Sequence, residues 1–357
     1  MILLVGVLLI GRCDFLVVLV VNSHGFKLGR RRGRLIISYA DGSKKEVPIS
    51  RISVIVISAR GSLSTDVIRE LSQNNIPIIF AGNFSPYAVL HPYFMHATVV
   101  TRREQMRALS DYRGFQLAKS FCFAATINKV QVLRYFAKSR ERIDSGLSMM
   151  LRDAAARIED LARKIRNLEG SLVQLRLSMM GLEGEGARIY YDMLRYLVPP
   201  ELGFKGRERR PPRDPVNSVL SYGYTILNSI VLLSIAKTGL EPFAGFLHVD
   251  RSGKPSLILD LSEEFRQPIV DVLAISLFSK KRLKLEHFSY GDNGMCLLND
   301  AGKEIFYEAF NKRLLSRAYP GDKNYTFENA IMRQARNIAR FLIGKIPSYD
   351  PFIWRWS

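Results

Sequence analysis

The residue types best suited to chemistry are concentrated between His248 and Asp271. His248 opens the stretch, a turn at Ser252-Gly253-Lys254-Pro255 reverses the chain, and Asp260 and Glu263 follow a short apolar run. The reversal can bring one ring nitrogen near two carboxylates, a donor set that suits a hard or borderline cation such as Mg²⁺ or Mn²⁺. Asp260-Leu-Ser-Glu263 also reads as a helix start, an N-cap acid with Glu three residues on. Acids at a helix start commonly cap, and a histidine there can bond locally, so this stretch alone leaves both readings open.

Two further segments carry unusual residues. Gly181-Leu-Glu-Gly-Glu-Gly-Ala-Arg-Ile-Tyr-Tyr191 sets three glycines in an otherwise helical pattern. Each costs about 1 kcal/mol against alanine, and each permits close approach of a backbone or a ligand. Glu183 and Glu185 cannot share a helix face, so an inward Glu183 implies a solvated Glu185. Tyr190, Tyr191 and Tyr224 read as packed, hydrogen-bonded core residues rather than base-stacking ones. The second segment, Phe204 to Asn217, holds Arg207, Arg209, Arg210 and Arg213 on a proline-stiffened loop. Guanidinium forks match phosphate oxygens, whereas a plain linker has no need of Arg over Lys.

These segments must be held by elements that the rest of the chain supplies. Its 357 residues allow about two domains at roughly 150 residues each. At 47% hydrophobic and 10% aromatic the chain can bury a core, which excludes a disordered protein. Lys and Arg number 52 against 33 Asp and Glu, a formal charge of +19. A solvated surface explains the number of charges but not their one-sided sign, which favours a polyanion, nucleic acid first. Cys13, Cys122 and Cys296 are odd in number and lack metal spacing. They suit a reducing, cytoplasmic setting without disulfides or zinc. Met1 to Val21 is nearly all apolar, and this alone supports a membrane-anchored reading. Arg12 and Asp14 would then sit near mid-membrane, which is costly, so a buried strand over Phe15–Val21 is expected and no membrane partner.

Up to residue 97 the sequence reads as strands: Phe15–Val21, Leu35–Tyr39, Ile52–Ile57, Ile76–Phe80 and Tyr87–Leu90, with a short helix at Ser64–Gln73. Lys27–Arg34 is a basic turn between strands. From Thr98 onward apolar residues recur at helical spacing, predicting helices over 103–137, 140–169, 171–197, Val216–Lys237, 265–279, 299–316 and 326–343, with a hairpin over 282–299. The fold class is α+β: an N-terminal β-strand domain, 1–97, followed by an all-α catalytic domain, 98–357.

Four motifs stand in order along the chain: Gly181-Leu-Glu183-Gly, Arg209-Arg-Pro-Pro-Arg-Asp-Pro-Val-Asn217-Ser-Val-Leu-Ser-Tyr-Gly-Tyr224, Gly239-Leu-Glu-Pro-Phe-Ala-Gly-Phe-Leu-His248 and Ser256-Leu-Ile-Leu-Asp260-Leu-Ser-Glu263-Glu-Phe-Arg-Gln-Pro268. Together they resemble the CRISPR-associated Cas1 family, the integrase and endonuclease of CRISPR adaptation. Asn128-Lys-Val-Gln131 is similar to a further element of that family, and only the apolar start, Met1 to Gly11, departs from its pattern. The resemblance implies a metal-dependent enzyme with Mg²⁺ or Mn²⁺ on Glu183, His248 and Glu263, and Asp260 beside the metal. It implies a homodimer formed through the β domains and a larger complex with the Cas2 protein. The substrate is expected to be double-stranded DNA, branched or with single-stranded ends. Its 3′-hydroxyl attacks in integration and water attacks in cleavage, with no Ser-His or Cys-His pair needed. Arg207, Arg209, Arg210 and Arg213 are expected to hold DNA phosphates, and Asn217 to serve structure near the site. A catalytically silent basic DNA-binding scaffold is the alternative.

If phosphates dominate affinity, log K for duplex DNA falls linearly with log salt, by about 0.9 per neutralised phosphate. Replacing Arg207, Arg209 and Arg210 by Ala should flatten that slope without changing sequence preference. A filter-binding salt titration measures it, and an unchanged slope would reduce the loop to a linker.

Overall fold

Runs of valine and isoleucine form strands in the first part of the chain, because branched side chains pack well on a pleated surface. The computed structural model describes residues 7–8, 17–82, 86–92, 99–208, 211–291, 293–319 and 325–356. It divides the chain into two units, Met1–Ala97 and Thr98–Ser357.

In the first unit, β1 (Val7–Leu8), β2 (Val17–Val21), β6 (Ile52–Ile57), β8 (Ile78–Ala81) and β9 (Pro86–Leu90) form one sheet in the order β1-β2-β6-β8-β9. Its three central strands are parallel and its edges antiparallel. A second sheet has the order β5-β4-β3-β7, from β3 (Phe26–Arg31), β4 (Arg34–Ser38), β5 (Lys44–Pro48) and β7 (Gly61–Leu63). Leu19, Val21 and Ile55 of the first sheet share one core with Phe26, Leu35 and Val47 of the second. Helix α1 (Thr65–Gln73) is capped by Ser64, whose Oγ accepts the Val67 N–H at 3.3 Å. Strands β3, β5 and β7 were not expected. Their exposed residues include Lys27, Arg30, Lys44 and Gly61, so each shows too little apolar alternation to stand out. The basic turn is the β3–β4 hairpin, with Arg32 at φ 48° and Gly33 at φ 69°, the left-handed pair that a two-residue hairpin loop needs. Of the expected strand Phe15–Val21, residues 15 and 16 lie outside the described residues. Most of the apolar start lies outside them too, as does Cys13, while Cys122 and Cys296 are buried and free.

The second unit is helical: α2 (Val99–Ala108), α3 (Tyr112–Arg140), α4 (Ser145–Arg166), α5 (Leu172–Leu194), α6 (Pro215–Lys237), α7 (Ser256–Ser262), α8 (Val272–Ser279), α9 (Asp300–Leu314) and α10 (Phe327–Leu342). A small hairpin, β10 (Phe288–Tyr290) with β11 (Cys296–Leu298), interrupts it, so the unit is mainly rather than wholly α. The single helix expected over 103–137 is two. Asp111 caps α3 by accepting the Arg113 N–H at 2.8 Å, and a Cβ at Gly114 would lie 2.2 Å from the Ala108 carbonyl oxygen, so the chain turns there. Helix α6 is the one described helix long and apolar enough to cross a membrane, and 72% of its most apolar window is buried by protein.

The C-terminal segment is bound to α3 chiefly through one side chain, with further bonds from Ser120 to the Tyr349 carbonyl and from the Trp356 ring to the Gln131 carbonyl. Asn128 donates to the carbonyls of Glu264 (2.7 Å) and Phe352 (3.0 Å) and accepts the Trp354 N–H (2.8 Å). Glu264 completes the clamp, accepting the Tyr349 hydroxyl at 2.5 Å and the Phe352 N–H at 2.7 Å. Asn128→Ala strands three buried backbone groups, each worth about 1–3 kcal/mol when unsatisfied. It should lower stability by at least about 2 kcal/mol and free residues 349–356 to hydrogen exchange. Unchanged protection of that segment would refute the clamp.

Candidate metal centre

Asp260 organises the centre from a fully buried position. Oδ2 accepts the N–H groups of Phe246 (2.6 Å) and Leu247 (3.0 Å), and Oδ1 accepts that of His248 (2.9 Å). Oδ1 also meets the His248 ring at Nδ1, 2.7 Å away. Both carboxylate oxygens are therefore engaged, and His248 is left with Nε2 as the ring atom for a ligand. The chain approaches so closely that a Cβ at Gly245 would lie 2.5 Å from that of Ser256, so only glycine fits there. The turn after His248 is present, with Gly253 at φ +74°. The expected helix start at Asp260 is not. Helix α7 begins four residues earlier, at Ser256 behind Pro255, so Asp260 lies inside it and Glu263 at its C-cap. The acid serves the amides of the preceding loop rather than those of its own helix.

Glu263 is largely buried and ion-paired with Arg266. Glu183 projects from α5, whose first turn is closed by a capping box of Ser171 and Gln174. Its Oε1 lies 2.7 Å from the ammonium of Lys129, a residue of α3 that is only 1% exposed. Lys129 also donates to the Ala125 carbonyl at 3.0 Å. Burial disfavours the Lys129 ammonium, but Glu183 and Glu263 outweigh it and raise its pKa. The Arg266 guanidinium feels the same two carboxylates. Glu183 and Glu263 thus belong to one electrostatic neighbourhood, and Arg176 of α5 ties the His248 loop to it by donating to the Phe246 carbonyl at 3.1 Å. Glu185 is exposed, on another side of α5.

Among the described residues no three His, Cys, Asp or Glu side chains form a ready-made metal cage. Each candidate ligand is instead paired: Lys129 holds Glu183, Arg266 holds Glu263 and Asp260 holds His248. The donor set nonetheless fits a divalent cation. Two carboxylates attract cations, and an imidazole held by a buried acid at one nitrogen is oriented as metal-binding histidines are.

Beyond these residues lies a tyrosine–aspartate network that supports the reading of the three tyrosines. Tyr190 and Tyr224 donate to Asp271 at 2.9 and 2.5 Å, and Tyr191 bonds Tyr224 at 3.1 Å. The Tyr224 ring carries Arg207 and Arg266 guanidiniums at 5.5 and 5.3 Å. Arg207 is bound by Asn217 (2.7 Å) and Ser221 (3.0 Å), and Asn217 also joins Gly206, Glu208 and Asp214, knitting the basic loop to α6. Arg213 is exposed, and Arg209 and Arg210 lie outside the described residues. Sequence reasoning missed Lys129, Arg266 and Asp271. Lys129 had a signal, since Asn128-Lys129 stood out, but its long-range partner had none.

The family described as "CRISPR associated protein Cas1" matches residues 19–312. The "CRISPR-associated endonuclease Cas1 1" of Archaeoglobus fulgidus is 30% identical over 345 residues, covering 95% of this chain and 99% of that protein. Among solved structures, "Casposase bound to integration product" superposes with a TM-score of 0.79 at 25% identity, over 93% of this chain and 92% of that one. A chain of the "Cas6-RT-Cas1--Cas2 complex" shares the fold, with a TM-score of 0.78 at 19% identity over 98% of this chain and 37% of that one.

Burial raises the Asp271 pKa to about 6 against the hydrogen bonds of Tyr224 and Tyr190. The folded protein therefore keeps a proton between about pH 4 and 6 that the unfolded chain releases, so this group's contribution to stability falls as pH rises through that window and then levels off. Asp271→Asn can still bond both hydroxyls and should flatten the dependence of Tm on pH between 4 and 6. An unaltered slope would refute the assignment.

Proposed function

The chain belongs to the CRISPR-associated Cas1 family, and from that premise we propose a metal-dependent DNA integrase with endonuclease activity that joins spacer DNA to a CRISPR array. The observation that supports the reading is the shared electrostatic neighbourhood of two carboxylates, Glu183 and Glu263, together with an imidazole whose Nδ1 is fixed by Asp260. Glu183, His248 and Glu263 would hold Mg²⁺ or Mn²⁺. Such an ion polarises a scissile phosphate and stabilises the oxygen that leaves. Asp260 orients His248 and is a positioning residue rather than a ligand. Lys129 holds the Glu183 carboxylate through Oε1. The attacking group is a DNA 3′-hydroxyl in integration and water in cleavage, so the protein supplies alignment and charge rather than a nucleophile.

The formal charge of +19 supports DNA as the partner, and Arg213, Arg209 and Arg210 are the loop cations proposed to meet phosphates. Arg207 contributes by stiffening that loop through Asn217 and Ser221. The casposase carrying an integration product and the complex that includes Cas2 support DNA and Cas2 as partners here. We further propose, as the family resemblance implies, a homodimer through the first unit and a cytoplasmic protein. A catalytically silent DNA-binding scaffold is the competing reading, favoured by the closed ion pairs on Glu183 and Glu263. Incubation with branched DNA and Mn²⁺ or Mg²⁺, with and without EDTA, separates the two.

His248→Ala should abolish cleavage and strand transfer while leaving DNA affinity and folding nearly intact. Unfolding, or full activity, would sink the ligand assignment. Glu183→Gln should stop both reactions and weaken Mn²⁺ binding, whereas Glu185→Gln, at an exposed position, should change stability by less than about 0.5 kcal/mol and leave strand transfer near the parent rate. Strand-transfer rates at several Mn²⁺ concentrations compare them, and equal loss in both would show that α5 is distorted or that both acids serve the site.

A further inference from the structure

A buried lysine beside a carboxylate meant for a metal calls for an account. Lys129 is 1% exposed and cannot swing to solvent, because its ammonium is anchored to the Ala125 carbonyl at 3.0 Å as well as to Glu183 at 2.7 Å. Its charge is therefore a fixed part of the site. Arg266, paired with Glu263, is a second such charge, with its guanidinium over the Tyr224 ring at 5.3 Å. Glu183, Glu263 and Asp260 supply three negative charges against the two positive charges of Lys129 and Arg266. The site thus carries about one net negative charge, little to attract a divalent cation. With a cation seated it carries about one positive charge, which suits a phosphodiester anion.

We propose that Lys129 is a positioning residue that couples the divalent cation to DNA: its fixed charge on Glu183 opposes a cation that binds alone and supports one that arrives with a phosphate. This rests on the reading of Glu183, His248 and Glu263 as the metal ligands. Lys129 fixes the Glu183 carboxylate through Oε1, as a hydrogen-bonded partner behind a ligand does. The same charge repels the incoming cation, and the phosphate relieves that repulsion. Coupling of this kind is reciprocal, so DNA tightens the cation and the cation tightens DNA by the same factor. An enzyme so built keeps a poorly occupied centre until DNA is in place, which limits cleavage away from the correct substrate.

The test is Mn²⁺ affinity, read from the resonance of free Mn²⁺, with and without a short branched duplex, for the intact protein and for Lys129→Met, Lys129→Arg and His248→Ala. Lys129→Met keeps the length of the side chain and removes its charge, and Glu183, which is 27% exposed, can turn to water. It should bind Mn²⁺ alone at least about tenfold more tightly than the parent and lose most of the enhancement by DNA. Lys129→Arg, which keeps the charge, should retain weak Mn²⁺ binding and the enhancement. His248→Ala should lose Mn²⁺ binding in both conditions. If His248→Ala binds Mn²⁺ as the parent does, the metal-site reading fails and the proposal with it. If His248→Ala loses Mn²⁺ while Lys129→Met binds it no more tightly than the parent, or keeps the full enhancement by DNA, the Lys129 proposal alone is overturned.

Discussion

One buried carboxylate governs the geometry of the centre. Asp260 gathers three successive amides and one imidazole nitrogen within 2.6 to 3.0 Å. A buried carboxylate without donors would be strongly disfavoured, so the loop is obliged to wrap around it. The wrapping decides which nitrogen of His248 faces outward, and it requires glycine at 245, where a side chain would meet Ser256 and the Asp260 carboxylate. Helix α7, the loop before it and the orientation of His248 are thus one unit, and a change to Asp260 is a change to all three.

The ionic frame around this unit is built from one long-range pair and one local pair. Lys129 and Glu183 are brought together by the packing of α3 on α5, Arg266 and Glu263 by the turn that follows α7. That turn, Arg266–Asp271, is π-helical, a widened coil found often at functional sites. It carries Arg266 at one end, near Glu263, and Asp271 at the other, under the tyrosines. Tyr224 joins the two ends, since its hydroxyl bonds Asp271 and its ring lies beneath Arg266. The basic loop enters the same frame through Arg207 on the other contact of that ring. A group that binds at the carboxylates therefore meets a surface whose charges are already set, with little reorganisation left to do.

Much of this was legible from sequence where the signal is local. The strand-to-helix change near residue 97, the turn at Gly253 and the solvated Glu185 follow from periodicity, turn chemistry and helix geometry. Strands β3 and β5 were hidden because charged residues such as Lys27 and Lys44 occupy their outer positions, and β7 because it is only three residues, Gly61-Ser62-Leu63. The break at Asp111 was hidden because a cap is a short signal inside a long helical pattern. The Asp260–Glu263 spacing misled for a physical reason: an acid followed by Glu three residues on is also what two side chains on one helix face look like. Lys129 and Arg266 were illegible as site residues, since their roles depend on partners 54 residues away in one case and on burial in the other.

The glycines of α5 bring these threads together. No protein atom lies within 4 Å of where a Cβ would stand at Gly181 or Gly184, so neither is needed for packing among the described residues. Gly186, by contrast, faces Ile158 and Thr126 at 3.6 Å, an ordinary contact that alanine would also make. Each of the two bare glycines still weakens the helix by about 1 kcal/mol against alanine. The capping box at Ser171 and the burial of Met179, Ile189 and Tyr190 hold α5 in place despite them. By helix geometry Gly181 and Gly184, three residues apart, share one side of α5 rather than flanking Glu183. Two positions on one side of α5 that give up helix stability and meet no other described part of the protein leave that side open to close approach by another backbone or a ligand.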